Sequence, residues 1–253
     1  MMSRPTSDRR LRLAASILLR PRRYLPAIRW QGVKAARTSV PLPDHIEPIR
    51  LAAGAMIVCE GDSITSGTNR IESLARIFAP RTTDTPYPIR LAHALGDRVT
   101  ILNYGKGGDT AHDALIRWQG KPSGDLAIIM LGGNDANMRS GGLGATPIDI
   151  YRETMRALID RRLRDGAAVI VMAHPQVGFA AAEEAIAPYR VAARDAALAA
   201  GAMFVDARRF LLNQDSPLKI DAIHLRPSAS GAIADGLAEI IQLSDRGGAS
   251  TRS

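Results

Sequence analysis

Residues 56–67 read MIVCEGDSITSG, an apolar run that stops abruptly at glycine, aspartate and serine. Met56 to Cys59 have the composition of a short buried strand, and Gly61-Asp62-Ser63 break it with three residues that each favour turns. A serine at a sharp strand-to-helix corner stands above the end of a sheet, where a nucleophile is useful. The same three residues also make an ordinary turn, so this stretch alone leaves both readings of Ser63 open.

The pattern of this stretch recurs along the chain. Val99 to Tyr104, Leu126 to Leu131, Ala168 to Met172 and Met203 to Val205 are further short apolar runs, apolar on both faces as parallel strands covered on both sides are. Helical patterns lie between and after them: Tyr87 to Leu95, Ile148 to Arg164, Pro188 to Ala200 and Ser228 to Leu243. Pro147 opens the second of these and Gly166 closes it, the expected asymmetry of helix ends. The alternation predicts an α/β fold, a doubly wound three-layer α/β/α sandwich around a mainly parallel five-stranded sheet, flavodoxin-like in arrangement. In such a fold ligands bind beyond the carboxyl ends of the strands. Glycine-rich polar segments fall at those ends three times, at 61–63, 105–110 and 132–135.

Charge separates the chain into parts. Residues 1–50 carry eleven Lys or Arg against three acids, leaving 22 basic and 22 acidic residues of the total 33 and 25 for the remainder. The formal charge of +8 therefore belongs to an N-terminal arm, and no nucleic-acid partner is expected for a neutral body. The expected organisation is a basic arm over 1–50, an α/β domain over 51–245 and a tail over 246–253. The arm's apolar run, Leu13 to Leu19, is too short to span a bilayer and lacks a small-residue cleavage site, so a cytoplasmic or membrane-peripheral location is expected. The arm reads either as a solvated, disordered segment or as a short amphipathic helix on an anionic membrane surface, with Leu11, Ala14, Ala15, Leu18 and Leu19 on one face.

Cys59 is the only cysteine and lies within an apolar strand, so it reads as a small core residue and no intrachain disulfide exists. Five scattered histidines show no metal-ligand spacing, and neither a metal nor a cofactor is expected.

Three later segments bear on Ser63. In NYGKGGDTAHDAL (103–115) a glycine-rich turn enters a helix and presents backbone N–H groups to an anion or a developing oxyanion. It fails the dinucleotide pattern G-x-G-x-x-G, because position 110 is threonine. In LGGNDANM (131–138) Asn134 follows a buried strand and offers an amide at the sheet's carboxyl edge, or a helix cap. In DAIHLRP (221–227) Asp221 and His224 are three apart, a spacing that lets a carboxylate hold the far ring nitrogen of a base.

As an ordered set, GDS, G-x-G-G-D-T, GGND and D-x-x-H resemble the SGNH hydrolase superfamily, the GDSL-type esterases and lipases, from about Ile57 to Leu237. The resemblance implies a catalytic triad with Ser63 as serine nucleophile, His224 as base and Asp221 as its orienting acid. It also implies an oxyanion hole built from Ser63, Gly108 and Asn134. Ser63 stands in G-x-S-x-T, so the G-x-S-x-G elbow of α/β-hydrolases is not met. Asp62, Asp109 and Asp135 are then residues that fix their loops.

The expected activity is a serine esterase working through an acyl-enzyme on Ser63. Without a long apolar lid, short acyl groups are expected, with acetyl on a carbohydrate among them. An acyltransferase using the same site is a second reading. A catalytically inactive peripheral membrane or polyanion-binding protein is a third, carried by the arm. Residues 68–85, 136–146 and 175–188 are expected to overhang the strand ends, and Arg70, Arg139 and Arg226 are candidate substrate contacts.

Overall fold

The computed structural model describes residues 47–67, 86–212 and 223–244, with the side chain of Arg139 excepted. Five strands form one parallel sheet in the order β3-β2-β4-β5-β6: β2 (Met56–Gly61), β3 (Thr100–Asn103), β4 (Leu126–Met130), β5 (Ala168–Ala173) and β6 (Met203–Asp206). Central β4 is buried along its whole length, as a two-sided apolar run requires.

Alternate residues of the strands feed two cores. Val58, Ala127, Ile129, Val169 and Val171 pack with Trp118, Tyr151, Met155, Leu158 and Ile186 beneath α3 (Ala111–Arg117), α4 (Ile148–Arg164) and α5 (Ala180–Ala200). Ile57, Cys59, Ile128, Met130 and Met172 pack with Tyr87, Leu91, Ile233 and Leu237 on the other face, beneath α2 (Tyr87–Ala94) and α6 (Pro227–Ile240). This is the expected three-layer α/β/α sandwich. Cys59 is one of its core residues, and burial pushes its thiol far above the ordinary range.

Two helices depart from the expected boundaries. The helix expected to start at Pro188 begins at Ala180 and carries Pro188 inside it. AAAEEAIA (180–187) consists largely of strong helix formers, and proline at 188 removes a single backbone bond that the flanking turns tolerate. The loop after β5 is correspondingly short. Arg190 holds it by donating to His174 O at 2.8 Å and Pro175 O at 2.9 Å.

The last helix ends at Ile240 rather than Leu243. Ile241–Ser244 instead form β7, paired in parallel with β1 (Ile49–Ala52) in a separate two-stranded sheet. The isoleucine pair at 240–241 satisfies either period, and the pairing with β1 settles it. Among the described residues no helix is long and apolar enough to cross a membrane.

Candidate active site

The end of β2 builds the first part of the site. Asp62 caps α1 (Ser63–Ser66), its Oδ1 accepting from Ile64 N at 2.9 Å, and Gly67 closes this single turn in the left-handed region. Gly61 is required by close approach, since a Cβ there would lie 2.1 Å from Thr65 Oγ1 and 2.7 Å from Met130 O. The corner is consequently tight, and Ser63 is half-buried at its outer side.

His224 comes from the segment leading into α6, seated between buried Ile223 and Leu225. Its Nε2 lies 3.0 Å from Ser63 Oγ, a hydrogen-bond distance between residues 161 apart in the chain. Asp221 lies outside the described residues, as do residues 68–85 with Arg70. Arg226 is exposed at the N-terminus of α6.

The two glycine-rich loops follow β3 and β4 at the carboxyl end of the same parallel sheet. Gly108 has φ of +90°, and a Cβ on it would meet nothing within 4 Å, so one side of that loop is open. Asn134, half-buried after β4, donates from Nδ2 to Asp109 O at 2.8 Å, which joins the two loops. A second link runs the other way: Ala111 N donates to both carboxylate oxygens of Asp135, each at 3.1 Å. The start of α3 carries its own capping box between Thr110 and Asp113.

Three carboxylates hold these loops. Asp62 and Asp135 are buried, and desolvation pushes their carboxyl groups up, to about 6 and about 7. The Ile64 N–H and nearby His224 oppose this at Asp62, as the Ala111 N–H does at Asp135. Asp109 is paired with Arg117. Among the described residues no group of three or more His, Cys, Asp or Glu is placed to hold a metal ion.

Three contributors were not singled out from sequence. Asn103 bridges the first two loops, donating to Thr65 O at 2.7 Å and accepting from Gly105 N at 2.9 Å. Its only sequence signal is an asparagine at a strand end before a glycine run. Tyr87, fully buried on α2, places its hydroxyl 3.3 Å from Thr65 Oγ1 behind the serine turn. Glu60, the residue before Gly61, forms a fully buried ion pair with Arg162 of α4.

The chain matches the sequence profile of the GDSL-like lipase/acylhydrolase family over residues 59–232. Among solved structures it is similar to a catalytic variant of an acetylxylan esterase from Geobacillus stearothermophilus, at TM-score 0.61 and 21% identity over 75% of this chain and 95% of that one. An α/β hydrolase enzyme from the metagenome of Lake Arreo, Spain, matches at TM-score 0.59 and 22% identity, covering 75% and 97% of the two chains. A carbohydrate acetylesterase family member from Sinorhizobium meliloti gives 0.56 and 20%, covering 73% and 96%. At these identities the likeness establishes a shared fold. No curated protein matches the chain by sequence.

Proposed function

Because the chain belongs to the GDSL-like lipase/acylhydrolase family and is an ester-hydrolysing serine hydrolase, we propose that Ser63 is its nucleophile and His224 its general base. The observation that carries this is the 3.0 Å approach of Ser63 Oγ to His224 Nε2 at the carboxyl end of the sheet. Ser63 Oγ attacks the ester carbonyl carbon and its proton passes to His224. The carbonyl oxygen becomes an oxyanion, accepting from the backbone N–H groups of Ser63 and Gly108 and from the Asn134 amide. Collapse of the tetrahedral intermediate breaks the ester C–O bond, and the departing alcohol takes the proton from His224. Water, deprotonated by His224, then attacks the acyl-enzyme and releases the acid and Ser63. Asp221, three residues before His224, orients the imidazole in this scheme.

The substrate we propose is a short-chain ester, with acetyl groups on a carbohydrate as the leading class. The carbohydrate acetylesterases among the structural neighbours support that choice. The test is hydrolysis of a panel of acyl lengths and acetylated sugars by wild type and Ser63→Ala. Turnover of acetyl esters by wild type, lost in the variant, is expected; undiminished turnover by the variant refutes the assignment. Adding a sugar acceptor to the same assay separates hydrolysis from acyl transfer by the product formed.

A further inference from the structure

The loop from Tyr104 to Thr110 is held near both ends by a side chain that the scheme above leaves unused. Arg117 sits on the last turn of α3, the helix this loop leads into. Its Nη1 donates to Tyr104 O at 3.1 Å, where the loop begins. Its Nε donates to Asp109 Oδ2 at 2.8 Å, where the loop ends, and Nη2 donates to the same oxygen. Asp109 is buried, so its carboxylate has little water to turn to and depends on this partner.

Asp109 in turn touches both groups assigned to the oxyanion. Its carbonyl oxygen accepts from Asn134 Nδ2 at 2.8 Å, and Gly108 is its immediate neighbour in the chain. The helix does not need the clasp in order to start, because the Thr110–Asp113 capping box and the Ala111–Asp135 bonds already secure its first turn. What Arg117 adds is a fixed span between Tyr104 and Asp109, the stretch that carries Gly108. A guanidinium suits this because its planar fork reaches two acceptors at once, which an ammonium on a lysine stem does not do in one fixed geometry.

We propose that Arg117 is a positioning residue of the oxyanion hole, acting through Asp109 to hold the Gly108 N–H and the Asn134 amide on one point. This rests on the reading of Gly108 and Asn134 as oxyanion donors. Preorganised donors act by being in place before charge develops, so loosening them lowers the rate of the chemical step more than it lowers substrate binding.

The experiment compares wild type, Arg117→Ala, Arg117→Lys, Asp109→Asn and Asn134→Ala on a short acetyl ester. Rates are referred to active sites titrated with a phosphonate that labels the serine stoichiometrically, so that misfolded protein does not count. Arg117→Ala is expected to lower kcat ten- to a hundredfold with KM within threefold, and Arg117→Lys to recover only part of that loss. Asp109→Asn is expected to lower kcat in the same sense. In the double variant Arg117→Ala/Asn134→Ala the loss is expected to be smaller than the product of the single losses, because both changes act on one donor set. A kcat per titrated site within twofold of wild type in Arg117→Ala overturns the proposal, as do strictly multiplicative losses. Where Arg117→Ala does not accumulate as folded protein, the same twofold criterion applied to Asp109→Asn decides. Full activity in Ser63→Ala would instead overturn the assignment of the site itself, which keeps the two failures apart.

Discussion

Replacing Gly105 with alanine tests how closely the two halves of the site are fitted. A Cβ at this position would lie 2.4 Å from Ser66 N, 2.8 Å from Thr65 C and 2.9 Å from Ser66 Cα. All three atoms are backbone, so no side chain can swing aside. Ordinary contact begins near 3.4 Å, which sets the required separation at about 1 Å. The loop cannot retreat freely, since Tyr104 N donates to Cys59 O at 2.8 Å and Lys106 N to Gly61 O at 3.0 Å. The displacement therefore falls largely on α1, and α1 is one turn of four residues that begins with Ser63. A shift of about 1 Å in a reacting group costs on the order of a hundredfold in rate. The assay is kcat for a short acetyl ester per titrated site, beside a thermal melt. Gly231→Ala serves as the control: its Cβ would sit in α6 at 3.7 Å from Arg90 Nη1, an ordinary contact. That variant is expected to keep wild-type kcat and gain about 0.5–1 kcal/mol of stability. A Gly105→Ala enzyme with kcat within threefold of wild type would refute the reasoning.

Three other outcomes are expected. If Asn134 is an oxyanion donor as proposed, Asn134→Ala lowers kcat by about a hundred- to a thousandfold with residual turnover above Ser63→Ala; a kcat equal to wild type in steady-state assays would count against that proposed role. Arg162→Met should destabilise the fold by roughly 3–5 kcal/mol in urea unfolding, since it leaves Glu60 buried without its cation, and Glu60→Leu with Arg162→Met should recover much of that. Asp135 titrates near 7 in the folded chain against an ordinary value of 3.8. Its contribution to stability is thus fully present below about pH 4 and is lost as pH rises to about 7, a total of about 4 kcal/mol. Asp135→Asn should flatten stability against pH between 4 and 7; an unchanged slope in denaturant titrations would show that this carboxyl is ionised throughout.

How far the residues spoke for themselves depended on the range of the interaction. The two-sided apolarity of LAIIML (126–131) announces a covered parallel strand because burial on both faces leaves its mark within six residues. The same local logic misplaced the start of α5, where proline at 188 is a common helix opener and here is an interior residue. It also ran the last helix through Ile241, because the partner strand that claims those residues comes from about 190 residues earlier in the chain. Glu60 gave no warning: a carboxylate at the end of an apolar strand acquires its meaning from Arg162, 102 residues on.

The sequence by itself determined the α/β architecture, the serine corner at 61–63, the glycine-rich loops at the strand ends and the order of motifs that resembles a known hydrolase family. Those features are local, written in periodicity, turn chemistry and spacing. Only the tertiary structure decided that Ser63 and His224 stand 3.0 Å apart, that Asn134 and Asp109 join two loops, and that Arg117 and Asn103 brace them. Such distances are set by how strands of one sheet align their ends, and that alignment is a property of the packed core rather than of any one segment.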